Sequence, residues 1–215
     1  MLARDSIQQR GSAKIGCLIA GGVVLLMVVI LALTFAGRYN SLVTLQEGAE
    51  AAWSEIDNQY KRRYDLIPQL VSTVKGAADF EKSTLESVTE ARASVGRAQL
   101  PPGLPDDPAK LQSYIQAQQG LGSALGRMFV VVERYPELKA NQNFLSLQDQ
   151  LEGTENRIAV ARRDYIDAVR RFNTAVRSFP TNFVAGMFGF EKMPQMQFAE
   201  AERETPQVEF DFGND

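Results

Sequence analysis

The chain of 215 residues contains no histidine. Histidine is the commonest metal ligand in proteins and the side chain that most often acts as a general base near neutral pH. A zinc protease of the H-E-x-x-H type needs two histidines, and a di-iron four-helix bundle needs inward-facing Glu-x-x-His repeats. The composition therefore excludes both of these enzyme classes.

Cysteine is nearly absent as well, because Cys17 is the only one. The chain by itself can form neither a disulfide nor a thiolate metal site. No glycine-rich loop follows a predicted strand, so nothing favours nucleotide binding. Carboxylates remain as the only catalytic material, without a nucleophile and base beside them. The sequence predicts no catalytic residue, no cofactor or cofactor-binding residue, and no metal ligand.

Charge is absent from residues 15–36, which are rich in valine, leucine and isoleucine. In a helix about 22 residues reach about 33 Å, enough to cross the core of a bilayer. These residues are predicted to form a transmembrane helix in contact with lipid. The alternative is a cleaved signal peptide, but the run is longer than the usual signal core of about 7–15 residues. Cys17 begins the run instead of following it, which argues against a lipoprotein.

The charges around this span and along the chain carry two further predictions. Arg4, Arg10 and Lys14 precede the span and Arg38 alone follows it closely, so the N-terminus is expected in the cytoplasm and the large domain outside. Residues 38–190 carry 18 basic and 18 acidic side chains, and the last 25 residues hold seven acids against two bases. A neutral body with an acidic tail argues against nucleic acid as a partner.

Two helices are predicted in the first half of the body. Apolar and small residues recur every three or four positions from Tyr39 to Lys75, and Pro68 is expected to kink that helix without ending it. A turn near residues 76–80 precedes a second helix that runs to about Ala98. Residues 83–86, Ser-Thr-Leu-Glu, fit a capping box at its start. A single kinked helix over residues 39–98 is the alternative.

Two more helices are predicted after a loop at residues 101–108, which contains four prolines. The third runs from about Ala109 to Tyr135, and its glycines at 120, 122 and 126 are expected to pack closely against a neighbour. The fourth ends at Pro180 and carries a heptad seam. The seam consists of Phe144, Leu147, Leu151, Thr154, Ile158, Ala161, Tyr165, Ala168, Phe172, Ala175 and Phe179.

Short connections between consecutive helices make neighbours antiparallel. The predicted fold is therefore all-α, an N-terminal transmembrane helix followed by an antiparallel up-and-down four-helix bundle. The predicted organisation is a short polar N-terminus at residues 1–14, the span at 15–36, the bundle at 38–180, and an apolar segment with an acidic tail at 181–215. In residues 183–190, the four side chains of Phe183, Met187, Phe188 and Phe190 either dip into the membrane interface or cap the open end of the bundle.

The polar residues of the body are interpreted structurally. Glu155 and Asn156 adjoin the heptad seam, where a buried polar pair can fix helix register. The basic run at residues 61–63 is expected to join a solvated ion-pair network. Its candidate members are Asp57, Asp65, Arg162, Arg163, Asp164, Asp167, Arg170 and Arg171. Trp53, the only tryptophan, is assigned to the core.

Several segments in this order and spacing resemble the LemA family of bacterial membrane-anchored helical proteins. They are Tyr39-Asn40, Leu42-Val43, Ala52-Trp53-Ser54, KRRYDLIPQLVSTVKG at 61–76, Glu90-Ala91-Arg92, YPELKA at 135–140, Phe144 with Leu147-Gln148, and Thr154-Glu155-Asn156. The resemblance implies a helical bundle on the bacterial plasma (inner) membrane and a link to membrane processes such as magnetosome formation. It also implies a membrane metalloprotease or a phosphatase-like domain protein as a partner. It further implies an external N-terminus, opposite to the prediction from the lysine and arginine count.

The function predicted from these observations is a single-pass membrane protein whose bundle binds other proteins or itself, as an interaction or scaffolding module and not as an enzyme. A membrane-tethered sensor or ligand-binding bundle is the alternative. An enzyme that uses carboxylates alone is a third reading, and nothing in the residue pattern supports it.

Overall fold

The computed structural model describes residues 5–76 and 80–196, with side chains from Leu18 onward in those ranges. Most of these residues are helical, and no strand occurs among them. The acidic tail beyond residue 196 and the side chain of Cys17 lie outside the described part. The helices are α1 (Asp5–Lys75), α2 (Lys82–Arg97), α3 (Pro108–Val132), α4 (Pro136–Lys139), α5 (Gln142–Arg177) and α6 (Thr181–Phe188).

Helix α1 is one uninterrupted helix of 71 residues. It joins the predicted span to the first predicted bundle helix, because between them only Gly37 has a low helix propensity, and a glycine costs just about 1 kcal/mol. The helix begins at Asp5, so most of the predicted polar N-terminus is helical. It continues through Pro68, as expected, and ends at Lys75. Helix α2 is separate, which rules out a single helix over residues 39–98.

The predicted capping box at Ser83 is wrong. Glu81 is the N-cap of α2, its side chain caps no backbone N–H, and Ser83 lies inside the helix. Glu81 is held in place from several sides: its carboxylate lies 3.3 Å from Arg134 Nη1 and also accepts a hydrogen bond from the Thr84 hydroxyl. The backbone N–H groups of Thr84 and Leu85 donate to the Glu81 carbonyl. These contacts start the helix one residue before the predicted cap.

Helix α3 has a side-chain cap at its N-terminus. The Asp107 carboxylate accepts from the N–H groups of Ala109 and Lys110 at 2.8 and 3.2 Å, and Pro108 occupies the first helical position. These two backbone hydrogen bonds lower the pKa of Asp107. The helix ends at Val132, earlier than the predicted Tyr135, and Pro136 starts the short helix α4.

The chain divides into two compact units. Among the described residues, the larger unit comprises residues 48–170 and 193–196, and it holds most of the core. Side-chain pairs give its topology. Along α1 the residues Trp53, Tyr60 and Arg63 meet α5 in reverse order at residues 165, 162 and 155, so α1 and α5 are antiparallel.

The same unit shows the other three helix relationships. Residues 57 and 63 of α1 meet residues 114 and 118 of α3 in ascending order, so α1 and α3 are parallel. Helix α2 runs opposite to both: its residues 92 and 87 contact residue 64 of α1 and residue 127 of α3 respectively. The larger unit is thus an up-and-down bundle of four helical segments, as the sequence predicts.

The heptad seam of α5 is confirmed at every predicted position from Phe144 to Tyr165 and again at Phe172, but not at Ala168 or Phe179. Val169 is fully buried while the predicted Ala168 is only half-buried, and Phe179 is 79% exposed. A straight α-helix drifts by about 20° per heptad from an ideal seven-residue repeat. After more than three heptads the neighbouring residue therefore faces the core instead.

In the part of the chain that the structure describes, the smaller unit comprises residues 5–47 and 171–192. Its core includes the buried residues Leu42, Phe172, Val184 and Ala185. The Tyr39 ring lies 4.7 Å from the Phe188 ring and 5.8 Å from the Phe190 ring, centroid to centroid. Within residues 171–192, four large apolar side chains are exposed over more than half of their surface: Phe179, Phe183, Met187 and Phe188.

Candidate functional site

A buried arginine lies in the core of the larger unit. Arg63 is 1% exposed and lies in the apolar stripe of α1 between Tyr60 and Ile67. With Ile56 and Leu70 the steps are four, three, four and three residues, so Arg63 occupies a core position of the helix. A buried guanidinium is costly unless partners neutralise it and satisfy its N–H groups.

Two other helices supply those partners. Arg63 Nη1 donates to Glu155 Oε2 on α5 at 2.5 Å. Arg63 Nη2 donates to the side-chain and backbone oxygens of Gln118 on α3, at 2.6 and 2.9 Å. Arg63 Nε is buried and has no hydrogen-bond partner in the described part of the chain. The arginine thus connects three helices of the bundle.

Tyr60 extends this network along the same helix. The guanidinium carbons of Arg63 and Arg162 lie 5.3 and 5.6 Å from the centre of its ring, and Arg162 Nε donates to the Tyr60 hydroxyl at 2.8 Å. Burial raises the pKa of Tyr60, and the positive charge of Arg162 beside it offsets part of that rise. The Tyr60 hydroxyl is therefore neutral at physiological pH and acts as an acceptor.

Aromatic rings surround this polar core. Trp53 lies 5.4 Å from Tyr165 and 6.3 Å from Tyr114, and Tyr60 meets Tyr114 edge to face at 5.6 Å. Burial raises the pKa of Tyr165 to about 12. Burial, with the negative charge of Asp57 nearby, raises the pKa of Tyr114 as well. The Tyr165 hydroxyl is buried and has no partner among the described residues.

Two clefts flank the network. The first has a volume of about 350 Å³, and its floor includes Trp53, Tyr60 and Tyr114. Asp57 and Asp65 also line it, together with residues 99–103 of the proline-rich loop. Aromatic faces and carboxylates are groups that attract a cation.

The second cleft is apolar and has a volume of about 280 Å³. Gly122 and Gly126 line it on α3, opposite Leu151 of α5, with Arg63 and Glu155 at one side. A Cβ at Gly122 would lie 3.5 Å from Arg63 Nη1, so this glycine does pack against a neighbour. Gly120 and Gly126 have no such neighbour within 4 Å, and the predicted close packing is wrong for these two.

The structure separates the polar residues that the sequence grouped together. Glu155 pairs with Arg63 but is 51% exposed, and Asn156 is exposed, so the predicted buried pair of Glu155 and Asn156 is wrong. Lys61 and Arg62 are exposed, whereas their neighbour Arg63 is buried. Of the predicted network, Arg170 and Asp167 form an ion pair at 2.8 Å. Trp53 is 4% exposed and its assignment to the core is confirmed.

The remaining feature is the apolar part of α1. The segment is long and apolar enough to cross a membrane, with a mean hydropathy of 2.9, and none of that apolar window is covered by the rest of the chain. Among the described residues no group of three or more acidic, histidine or cysteine side chains could hold a metal ion. The fold and the site define a membrane-associated helical bundle whose helices are joined by a buried arginine network.

The sequence profile of the LemA family matches residues 52–210, and the chain belongs to that family. Two similar proteins are Magnetosome protein MamQ 1 and MamQ 2 of Paramagnetospirillum magneticum, each 29% identical over 80% of this chain and 69% of theirs. Protein LemA of Metamycoplasma hominis is 28% identical over 79% of this chain and 73% of its own.

Proposed function

We propose that the protein is a single-pass membrane-anchored module that binds other proteins, or itself, and holds them at the bacterial plasma membrane. The observation that carries this proposal is that α1 alone supplies both the uncovered apolar segment and a core face of the bundle, Ala49 to Val74. Whatever the bundle binds is thereby tied to the membrane through one continuous helix.

The continuity of α1 also supports retention of the anchor. If the apolar run were a signal peptide, cleavage at its end, after Ala36, would cut α1 in its interior. The cut would leave unpaired N–H groups where helical hydrogen bonds now run. A retained span fits this geometry better than a removed leader.

The pairing and protonation of the buried polar groups support a binding role over a catalytic role. The guanidinium of Arg63 already has a carboxylate partner in Glu155, and the raised pKa values keep Tyr60, Tyr114 and Tyr165 neutral. These groups hold their protons near neutral pH, so none of them is poised to act as a general base there. The names of the relatives, magnetosome proteins, fit a part in a membrane-bound assembly. A membrane metalloprotease is the partner that the family resemblance suggests.

Photo-crosslinking in native membranes tests the proposal. Val130 on α3 and Val160 on α5 are 69% and 53% exposed, and apolar side chains at such positions suit protein contacts. A photoreactive amino acid at either position should give a discrete adduct with one partner protein or with a second copy. The exposed polar position Gln150 is the matched control. A uniform absence of protein adducts at all three positions would contradict an interaction module.

The same proposal places the N-terminus in the cytoplasm and the bundle outside. A reporter that fluoresces only in the cytoplasm, fused to the C-terminus, should stay dark, and the same reporter on the N-terminus should be bright. The reverse pattern would overturn this orientation without affecting the interaction role.

A membrane-tethered ligand-binding bundle is the second candidate. The cleft lined by Trp53, Tyr60 and Tyr114 favours it. Trp53 lines that cleft and is the only tryptophan, so its fluorescence reports occupancy. Titration with choline or a lysine-rich peptide should change the emission if the cleft takes cations, and Asp57→Asn should weaken the response. An unchanged emission with both probes would contradict a cation site.

A further inference from the structure

Helix α6 is apolar on two opposite faces. Val184 and Ala185 are buried on one face, while Phe183 and Met187, one turn apart on the opposite face, are 60% and 68% exposed. The helix contains no charged residue. An ordinary surface helix has one apolar face and one polar face, and a helix that is apolar all round is covered by protein or by lipid.

A tyrosine at the end of the membrane span fixes the position of α6. Tyr39 lies three residues beyond Ala36, the last residue of the apolar run, which is about 4.5 Å along the helix axis. Side chains of a helix tilt toward its N-terminus, here toward the membrane, and the Phe188 ring lies 4.7 Å from the Tyr39 ring. The polar zone of a bilayer is about 5–8 Å deep on each side. The Phe188 ring therefore lies at the level of the lipid headgroups.

The charges of the smaller unit agree with that position. In residues 37–47 and 171–192 the basic side chains are Arg38, Arg171, Arg177 and Lys192, and the acidic ones are Glu47 and Glu191. All four basic residues are exposed. This excess of positive charge favours the anionic headgroups of a bacterial membrane.

We infer that α6 is a second membrane contact, which lies in the bilayer interface with Phe183 and Met187 directed into lipid. The inference rests on α1 being a membrane anchor. It commits to lipid as the occupant because the exposed face lies in the same unit as the span, and Tyr39 joins the two. Interfacial helices bury their apolar side chains about 5–10 Å into the boundary between headgroups and acyl chains.

The test is fluorescence quenching by lipids that carry bromine on the acyl chains. The full-length Cys17→Ser protein receives a single cysteine at Phe183 or at Met187, which is labelled with a small fluorophore. The protein is reconstituted in phosphatidylcholine and phosphatidylglycerol vesicles with and without bromine. Two positions on α1 serve as rulers: Phe35 in the apolar span, and Glu47, eleven residues beyond Ala36 and about 16 Å along the axis.

Labels at Phe183 and Met187 should lose nearly as much fluorescence as the label at Phe35, and far more than the label at Glu47. Quenching at both α6 positions that equals the Glu47 value overturns the inference, while quenching at Phe35 shows that the anchor stands. Absence of quenching at Phe35 would instead refute the anchor itself.

A photoreactive benzoyl-phenylalanine in place of Phe183 separates lipid from protein as the occupant. A lipid adduct detected by mass spectrometry supports the inference. A covalent dimer, or an adduct with another protein in native membranes, overturns it. Phe183 and Met187, the two α6 side chains that are replaced in these tests, are both exposed, so the fold should persist. Far-UV circular dichroism of each variant checks this.

Discussion

Arg63 and Glu155 are 92 residues apart in sequence, and the guanidinium of one donates to the carboxylate of the other at 2.5 Å. The arginine side chain is 1% exposed and the glutamate side chain 51% exposed. The buried charge therefore reaches a counterion at the surface of the bundle. Removal of that counterion leaves a cation in the core that keeps its hydrogen bonds to Gln118 and its contact with the Tyr60 ring but has lost its ion pair.

Glu155→Gln should lower the free energy of unfolding by about 2 kcal/mol. Hydrogen bonds to charged groups contribute about 1.5–3 kcal/mol, and the half-exposed glutamate keeps the loss below the 3–5 kcal/mol of a fully buried pair. Urea denaturation of the full chain in detergent, followed by circular dichroism, measures it.

Glu152→Gln is the matched control, since Glu152 lies one turn away on the same helix and accepts a hydrogen bond from Gln148. It should change stability by less than about 0.5 kcal/mol. In an Arg63→Met background, Glu155→Gln should also cost little, because the two residues act as a pair. Equal losses for Glu155→Gln and Glu152→Gln would contradict the assigned role of the ion pair.

Two tyrosine-to-phenylalanine variants should have different effects on the free energy of unfolding. Tyr60→Phe removes the acceptor of Arg162 Nε and should cost about 1 kcal/mol. Tyr165→Phe removes a buried hydroxyl that has no partner in the described part of the chain, so it should be neutral or stabilising. The same urea titration compares them, and a larger loss for Tyr165→Phe would mean that its hydroxyl is bonded in solution.

Alkaline pH should destabilise the bundle. Burial raises the pKa of Tyr60, Tyr114 and Tyr165 above their unfolded value of about 10, so the stability contributed by their neutral forms is complete below pH 10. That contribution is lost as the pH rises above 10 and through the folded pKa values. Each tyrosine loses about 1.4 kcal/mol for every pH unit in that range. Phenolate absorbance should show a late ionisation step that coincides with unfolding, and Tyr165→Phe should make that step smaller.

Glycine substitutions should show which helical positions are open. Gly126 and Gly153 lie inside helices with no atom within 4 Å of a new Cβ, so alanine at either should stabilise the protein by up to about 1 kcal/mol. Gly189 has a φ of +72° at the end of α6, where alanine should cost about 1 kcal/mol. Thermal unfolding of the three variants measures the difference, and a destabilising Gly126→Ala would mean that the apolar cleft is closed in solution.

The helices and their order follow from the sequence because burial requires an apolar residue every third or fourth position. The seam from Phe144 to Tyr165 shows this directly, as does the break at the proline-rich loop. The shift from Ala168 to Val169 could not be obtained from a strict heptad, since it depends on how far the helix drifts before it meets its neighbours. At the start of α2, the residue that pairs with Glu81 is Arg134, which is distant in sequence and cannot be identified from local spacing.

The arginine network was missed for a different reason. Residues 61–63 are all basic, and a basic run normally indicates a solvated surface. The available signal is the position of Arg63, three residues after Tyr60 and four before Ile67. Tyr64 fits the same helical spacing and is the more natural choice for an apolar position. Even with that signal the sequence does not select Glu155 among the 18 acidic residues of the body, because the choice depends on the register between α1 and α5.

Because Arg63 and Glu155 are far apart in sequence, the ribosome produces them at different times. The ribosome completes α1, with its core arginine, well before it reaches residue 155 of α5. Until then α5 does not cover that face of α1, and a guanidinium that is open to water needs no counterion. The N-terminal span is available to the membrane throughout this interval. Insertion of the anchor can thus precede closure of the bundle, and the arrival of one late glutamate permits the final packing.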